Sequence, residues 1–280
     1  MGFDFAKAIK DAEKDENIRS LFLLLLGPSG NGKSYMLGTF GCKTLYLYTQ
    51  GETHGVTSSQ TLGRENVIPV CIDRDGEREL SGDEALSRLN AILDDIAGLK
   101  AAGFKAIALD GIPELEEIIR QTTKFKVATT APSGAHNGFA VSPITRTMLR
   151  DIIVKLKKVR RELGAHVCVT CTLTVKEYAE DGTIMDAKPQ LIGYEVPASL
   201  GRQFDDVLII GRMERAGKIA YRVQLLASAT VRALDQLTQS VKKTFDFSPR
   251  ITGVDILGMK DTIEPDLKTI IALKEKGSAK

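Results

Sequence analysis

The clearest chemical signature in the sequence is a glycine-rich stretch near its start, GPSGNGKS, which matches the pattern G-x-x-x-x-G-K-[ST]. Glycines let a backbone wrap around a phosphate group with its N–H groups pointing inward, and a following helix adds its positive N-terminal end. In this pattern the lysine reaches the β- and γ-phosphates, and the last hydroxyl group binds Mg²⁺. The sequence therefore predicts a triphosphate site made of Gly27, Pro28, Ser29, Gly30, Asn31, Gly32, Lys33, Ser34 and Tyr35.

A second metal ligand is predicted further along, in FKAIALDG, where an apolar run ends at Asp110. We expect this run to be a strand beside the one that precedes the glycine-rich loop, which would bring Asp110 near Ser34 so that it holds Mg²⁺ through its water shell. The alternative is an aspartate that only caps the next helix. Because Gly111 follows Asp110 where a glutamate could stand, the group that orients the attacking water must come from elsewhere.

Two candidates for orienting that water follow the apolar run at 44–49. They are Gln50 and Glu52. A glutamine can orient a water molecule, and a glutamate can also accept its proton, so we favour Glu52. A solvated loop carboxylate is an equal alternative for Glu52. Thr170 and Thr172 lie at the end of the strand predicted at 166–171. They are candidate sensors of the γ-phosphate; the alternative is that they are ordinary β-branched strand residues.

The elements that must position these groups are visible as apolar runs bounded by turn residues. The runs predict strands at 21–26, 44–49, 67–72, 105–109, 166–171, 206–210 and 218–226. Most are rich in Val, Ile, Leu and Tyr without strict alternation, which is typical of strands buried on both faces. Helical segments lie between several of them, so the sequence predicts an α/β fold with a mostly parallel sheet flanked by helices. Short strands from about residue 212 predict an antiparallel extension of that sheet.

Three helices are predicted from local signals. Ser81 and Glu84 have the spacing of a capping box and open a helix over 82–101, and Pro113 begins a second helix. A third helix, over 144–163, carries one apolar stripe: Met148, Leu149, Ile152, Leu156, Val159 and Leu163. Its basic residues, Arg150, Lys157, Lys158 and Arg161, fall largely outside the stripe.

Composition limits the possible classes of protein. The chain has 280 residues, 43% of them apolar, and a net charge of +2, so no global basic field indicates nucleic acid. No apolar run is long enough for a transmembrane helix, and with four cysteines and no secretory signal we expect a reducing cytosol. Cys168 and Cys171 form C-x-x-C within a predicted strand, where an offset of three places them on opposite faces. Packed thiols are therefore favoured over a redox or zinc site.

The order of these parts resembles the RecA-like recombinase core, and most closely the small phage RecA-like ATPases of the single-strand annealing and nucleotide-binding type. The resemblance covers about residues 20–235 and rests on the glycine-rich loop, the "TQGE" that follows the next strand, Asp110 and Thr172. It implies ATP and Mg²⁺ as cofactors and ATP hydrolysis as the activity. The family commonly has Glu where Gln50 stands, and Gln or His where Thr172 stands, which predicts slow hydrolysis.

The resemblance also implies partners. Loops over 124–143 and 173–196 would face single-stranded DNA, the chain would self-associate in a ring or filament, and it would act in the cytoplasm of a bacterial host. In such assemblies a neighbouring subunit commonly supplies a cation to the site, for which Arg222 and Arg232 are candidates. A surface loop and a hairpin without DNA contact are the alternative for the two loops.

The predicted division of the chain is an N-terminal helical segment (1–20), a RecA-like ATPase core (21–238) and a partly helical C-terminal appendage (239–280). A DNA-dependent ATPase or annealing protein is the favoured function. The alternatives are a nucleotide-switched module that controls a protein partner and, less favoured, a nucleotide kinase, for which no arginine-rich lid is recognisable.

Overall fold

The computed structural model describes residues 20–57, 65–130, 138–178, 184–191, 200–215, 218–224, 262–263 and 266–278. Six parallel strands form the centre of the sheet: in spatial order β9 (Asp206–Arg215), β1 (Phe22–Gly27), β7 (His166–Tyr178), β6 (Ala106–Asp110), β2 (Thr44–Tyr48) and β3 (Val67–Cys71). Every residue of β1 and of β6 is buried, because these strands are covered on both faces. The prediction of an α/β fold with a mostly parallel sheet is therefore confirmed.

The order of the strands corrects one expectation. β6, which ends at Asp110, is not next to β1, because β7 pairs in parallel with both and lies between them. Register nevertheless aligns the carboxyl ends: Gly27 is opposite Thr172, and Asp110 is opposite Tyr48. Asp110 and the residues that follow β1 thus share one edge of the sheet, two strands apart.

The helices are α1 (Lys33–Leu37), α2 (Gly82–Asp94), α3 (Ile96–Ala101), α4 (Ile112–Thr130), α5 (Gly138–Leu163) and α6 (Leu267–Ser278). The predicted capping box at Ser81 and Glu84 is confirmed. The helix predicted over 82–101 divides at Asp95, whose carboxylate accepts a hydrogen bond from the N–H of Gly98 and so caps α3. A side chain that offers a capping acceptor in mid-helix favours such a break.

The long helix α5 begins six residues before its predicted start at 144 and contains Pro143. The predicted apolar stripe of this helix faces the core: Leu149, Ile152, Leu156 and Val159 are at most 3% exposed. Its basic residues Arg150, Lys157, Lys158 and Arg161 are exposed, as predicted.

Antiparallel strands extend the sheet on its β9 side, as predicted. β10 (Lys218–Gln224) pairs with β9, and β11 (Thr262–Ile263) pairs with β10. β8 (Ile184–Pro189) pairs with the far end of β7 and forms a hairpin, and β4 (Arg74–Asp75) with β5 (Arg78–Glu79) forms a small one.

Helix α6 packs into the same core, beside the segment that follows α1. The side chains of Leu267 and Ile270 are fully buried, and the N–H of Leu267 donates a hydrogen bond of 2.8 Å to the hydroxyl of Thr39. Part of the predicted C-terminal appendage is thus packed against the central sheet and its helices. In the described part of the chain, no helix combines the length and apolarity that crossing a bilayer requires.

Candidate functional site

The loop between β1 and α1 has the backbone conformation that its glycines permit. Gly30 and Gly32 have φ angles of 75° and 87°, in the left-handed region that favours glycine. A Cβ atom at Gly27 would lie 2.6 Å from the carbonyl oxygen of Ile210 on β9, so this position also requires glycine. Loops with left-handed residues turn successive N–H groups towards one side, where they can receive an anion. Gly27, Gly30 and Gly32 therefore permit the backbone conformation of the glycine-rich loop (residues 27–34).

Lys33 is buried beneath this loop, with 8% of its surface exposed. Its ammonium group donates hydrogen bonds of 2.9 Å to the carbonyl oxygens of Gly27 and Pro28. Burial lowers the pKa of Lys33 below its ordinary value, against the opposing effect of nearby acidic groups, the largest of which is that of Asp110. The positive charge is thus held inside the loop by two backbone carbonyl groups.

The helix that follows the loop is short. Only the five residues Lys33–Leu37 are helical, and Gly38 ends the helix. Few aligned peptide dipoles contribute to so short a helix, so the helix-end charge expected from the sequence is small. The loop N–H groups and Lys33 supply most of the positive character of the site.

Asp110 is 2% exposed and is held by hydroxyl groups from both neighbouring strands. The hydroxyl of Tyr46, on β2, donates a hydrogen bond of 2.5 Å to Oδ2, and the hydroxyl of Thr170, on β7, donates one to Oδ1. Such bonds stabilise a buried carboxylate and fix its orientation. Tyr46 was not recognised as a site residue from the sequence, because its role depends on the pairing of β2 with β6.

The two predicted metal ligands, Ser34 and Asp110, both lie close to Gly55. A Cβ atom at Gly55 would lie 2.7 Å from Ser34 Oγ and 2.9 Å from Asp110 Oδ2. A hydroxyl and a carboxylate are oxygen ligands that suit Mg²⁺, which usually keeps several waters and binds only one or two protein carboxylates beside substrate phosphates. Among the described residues, no group of three or more His, Cys, Asp or Glu side chains could hold a metal ion. The residues present therefore fit Mg²⁺ with a phosphate ligand.

The two candidates for orienting water have separate environments. Glu52 lies in a 3₁₀ turn, Gln50–Glu52, after β2, and its pKa is raised to about 7 by burial, with smaller raising effects from Asp110 and Glu114. The N–H of Gln50 instead donates a hydrogen bond of 3.0 Å to the carboxylate of Asp73, and the Gln50 side chain lies 3.5 Å from the Asp73 carbonyl oxygen. The charges of Lys33 and Asp110 thus act on Glu52, whereas Gln50 joins the turn to Asp73.

Glu114 is a residue of this site that the sequence analysis missed. It lies in the first turn of α4, and its Oε2 atom is buried without a hydrogen-bond partner. The sequence patterns point to the position directly after Asp110, which is Gly111, and to Gln50 and Glu52 after β2, but not to this helix. The general rule that groups following parallel strands share one sheet edge would have extended that search to Glu114.

Thr172 is not at the end of its strand, because β7 continues to Tyr178. The expectation of a strand end near 171 is wrong; the following residues are also strand formers, and no turn signal precedes Asp181. Thr172 instead lies within the strand beside Gly27, at the start of the glycine-rich loop. The hydroxyl of Thr170 is engaged by Asp110.

The remaining predicted residues are placed only in part. Tyr35 is 41% exposed on α1. Arg222 lies on β10, opposite Gly211, while Arg232 lies outside the described residues. Of the two predicted DNA-facing loops, residues 131–137, 179–183 and 192–196 also lie outside them. Cys168 and Cys171 are buried free thiols whose pKa values are raised by burial, as packed thiols require.

No family model matches this chain. Nor does any curated protein match it. The six-stranded parallel sheet with flanking helices is compatible with a Rossmann-like or RecA-like core. Its functional interpretation rests on the arrangement of Lys33, Ser34, Asp110 and Glu52 around one loop.

Proposed function

We propose that this protein binds ATP with Mg²⁺ at the glycine-rich loop and hydrolyses it slowly. One observation carries the proposal. Ser34 Oγ and Asp110 Oδ2 both lie within 3 Å of the Cβ position of Gly55, beside a loop that holds the buried ammonium group of Lys33. A turn with only a structural role would not need a buried lysine with a lowered pKa, whereas a phosphate site uses the positive charge of Lys33.

The chemistry follows from the position of each group. The loop N–H groups and Lys33 bind the β- and γ-phosphates. Ser34 and Asp110 would hold Mg²⁺, which would neutralise charge on the phosphate oxygens. Tyr46 and Thr170 keep the Asp110 carboxylate oriented. Glu52 accepts a proton from the attacking water.

Turnover of ATP tests this function. We expect Mg²⁺-dependent release of phosphate that is lost in Ser34→Ala and Asp110→Asn and is kept in Ser87→Ala, which changes an exposed serine of α2. Turnover by Ser34→Ala equal to that of the unchanged protein, at low and high Mg²⁺, would contradict the assignment of the metal ligands.

We further propose that the ATPase acts on single-stranded DNA in recombination or annealing, as a self-associating protein of the bacterial cytoplasm, as the RecA-like resemblance implies. The hairpin of β7 and β8 supports this, because β7 pairs with Gly27 through Thr172 and then continues into the hairpin, so that one strand joins the loop to a predicted DNA-facing segment. DNA should stimulate turnover, and affinity for DNA should fall steeply between about 50 and 200 mM salt.

One observation favours the second candidate, a nucleotide-switched module for a protein partner. A cavity of about 420 Å³ lies between the start of α4 and the base of the hairpin, and its lining includes Glu114, Glu116 and Thr174. Glutamates at the base of the hairpin oppose the approach of DNA phosphates. If single-stranded DNA neither binds with ATP and Mg²⁺ present nor stimulates turnover, this second function is the one to retain.

A further inference from the structure

Helix α4 places Glu114 at the sheet edge where β2 and β6 end. Leu115 and Ile119, on the same helix, are fully buried in the core. The Glu114 side chain instead packs between two glycines: a Cβ atom at Gly111 would lie 3.0 Å from Glu114 Oε2, and one at Gly51 would lie 3.8 Å from Glu114 Cγ. The absence of a side chain at Gly111 therefore makes room for this carboxyl group beside the turn that carries Glu52.

Two buried oxygen atoms at this place have no hydrogen-bond partner in the described part of the protein. They are Glu114 Oε2 and Thr49 Oγ1. Thr49 Oγ1 lies 3.8 Å from the Cβ position of Gly51, the same position that Glu114 Cγ approaches. Buried polar atoms are nearly always paired, so an unpartnered Glu114 Oε2 beside the turn of Glu52 indicates that this carboxyl group serves the site.

Glu114 also affects the ionisation of Glu52. A side-chain hydrogen bond to Glu114 adds to the burial and to the charge of Asp110 that raise the pKa of Glu52, while Lys33 lowers it. Lys33, Asp110 and Glu114 are the titratable groups that act on Glu52 from α1, β6 and α4. The Glu52 carboxyl group therefore keeps its proton to a higher pH than an isolated glutamate does.

We infer that Glu114 is a positioning residue for ATP hydrolysis, which holds the Glu52 carboxyl group in the position from which it accepts the proton of the attacking water. The inference rests on the proposed function. In the step it serves, the water oxygen forms a bond to the γ-phosphorus while the bond from that phosphorus to the bridging oxygen breaks, and its electron pair leaves with ADP. The water proton passes to the Glu52 carboxylate and is then released to solvent.

A first experiment uses the nucleotide-free protein and does not depend on activity. Glutamate carboxyl groups labelled with ¹³C are titrated by NMR in the unchanged protein, Glu52→Gln, Glu114→Gln and the control Glu162→Gln, which changes an exposed residue of α5. We expect a carboxyl group with a pKa of about 7 in the unchanged protein and in the control. It should be absent in Glu52→Gln and should titrate at lower pH in Glu114→Gln.

A second experiment measures kcat and KM for ATP across pH in the same proteins, with unfolding curves to confirm that each is folded. Because glutamine retains the shape of the side chain but replaces the carboxyl group that holds Glu52, we expect Glu114→Gln to lower kcat about tenfold with KM within about twofold. The acidic limb of its pH profile should move to lower pH, since Glu52 then ionises more readily.

The outcomes separate this inference from the proposed function. If the unchanged protein hydrolyses ATP, and Glu114→Gln alters neither kcat nor the titration of Glu52, the positioning role is overturned while the ATPase function stands. If the unchanged protein neither binds nor hydrolyses ATP, the proposed function fails and the role in hydrolysis fails with it, whatever the titration shows.

Discussion

The ammonium group of Lys33 donates a hydrogen bond of 2.9 Å to the carbonyl oxygen of Gly27, the first residue of its own loop. The loop thereby satisfies its buried charge internally when no phosphate is bound. Binding of a phosphate would exchange these neutral carbonyl contacts for a charge-assisted one, which is stronger. The relationship explains how a buried lysine is tolerated at this place in the fold.

The close approach of Gly55 to the metal ligands predicts a strong effect of one methyl group. In Gly55→Ala the new Cβ would lie within 3 Å of both Ser34 Oγ and Asp110 Oδ2, so the segment or the ligands must shift. Such overpacking costs about 1–3 kcal/mol, and we expect Mg²⁺-ATP to bind at least about tenfold more weakly by calorimetry. Gly51→Ala is the matched control, because its Cβ meets only ordinary contacts at 3.8 Å. Equal affinities in the two variants would contradict the described geometry.

The hydroxyl of Tyr46 stabilises Asp110, so Tyr46→Phe should weaken the fold. The change leaves the buried carboxylate with one fewer hydrogen bond, and a bond to a charged group contributes about 1.5–3 kcal/mol. Urea unfolding of Tyr46→Phe should show a loss in this range. Tyr48→Phe, on the same strand, serves as the control because it leaves Asp110 untouched, and a loss as large in Tyr48→Phe would argue against a special role for the Tyr46–Asp110 bond.

The raised pKa of Glu52 predicts a dependence of stability on pH. The folded-state pKa is about 7 against an ordinary value of 4.5, so the folded protein binds this proton more tightly than the unfolded chain does. The resulting stability is fully present below about pH 4.5 and is lost as pH rises through 7. Because Glu52 is partly solvated, we expect Glu52→Gln to be more stable than the unchanged protein by about 1 kcal/mol at pH 8. The difference should shrink towards pH 5 in urea unfolding; a difference independent of pH would contradict the raised pKa.

The packing of α6 predicts that the C-terminal helix contributes to the stability of the whole core. Ile270 is fully buried there, and its replacement by alanine should cost about 2–5 kcal/mol. Val154→Ala is the comparison, because Val154 is 53% exposed on α5 and its loss should change stability by less than about 0.5 kcal/mol. A loss in Ile270→Ala no larger than in Val154→Ala, measured by thermal unfolding, would show that α6 does not belong to the core.

Local features of the fold were predictable because their causes are local. The capping box at Ser81 and Glu84 depends on residues three positions apart, and the apolar stripe of α5 depends on helical periodicity. The strands were recognisable because burial on both faces requires apolar residues throughout. The division at Asp95 was missed because an aspartate within a periodic helical stretch can face solvent equally well.

The order of strands and the full composition of the site depend on contacts that local patterns do not encode. Parallel pairing joins segments that are far apart in the chain, and nothing in the residues of β7 indicates that it inserts between β1 and β6. The loop residues and Asp110 were identified because their chemistry is specific to each position. The contributions of Tyr46, Gly55 and Glu114 became visible only when the sheet edge brought them together.

Nucleotide affinity tests the central claim most directly. Calorimetric titration with ATP in the presence of Mg²⁺ should show one site per chain in the unchanged protein and in Lys158→Ala, which changes an exposed residue of α5. Lys33→Ala should lose at least about 2.8 kcal/mol of binding free energy, a hundredfold in Kd, because the charge that contacts the phosphates is removed. It should remain folded by circular dichroism. Equal affinity in Lys33→Ala and the unchanged protein, or no binding by either, would contradict the account.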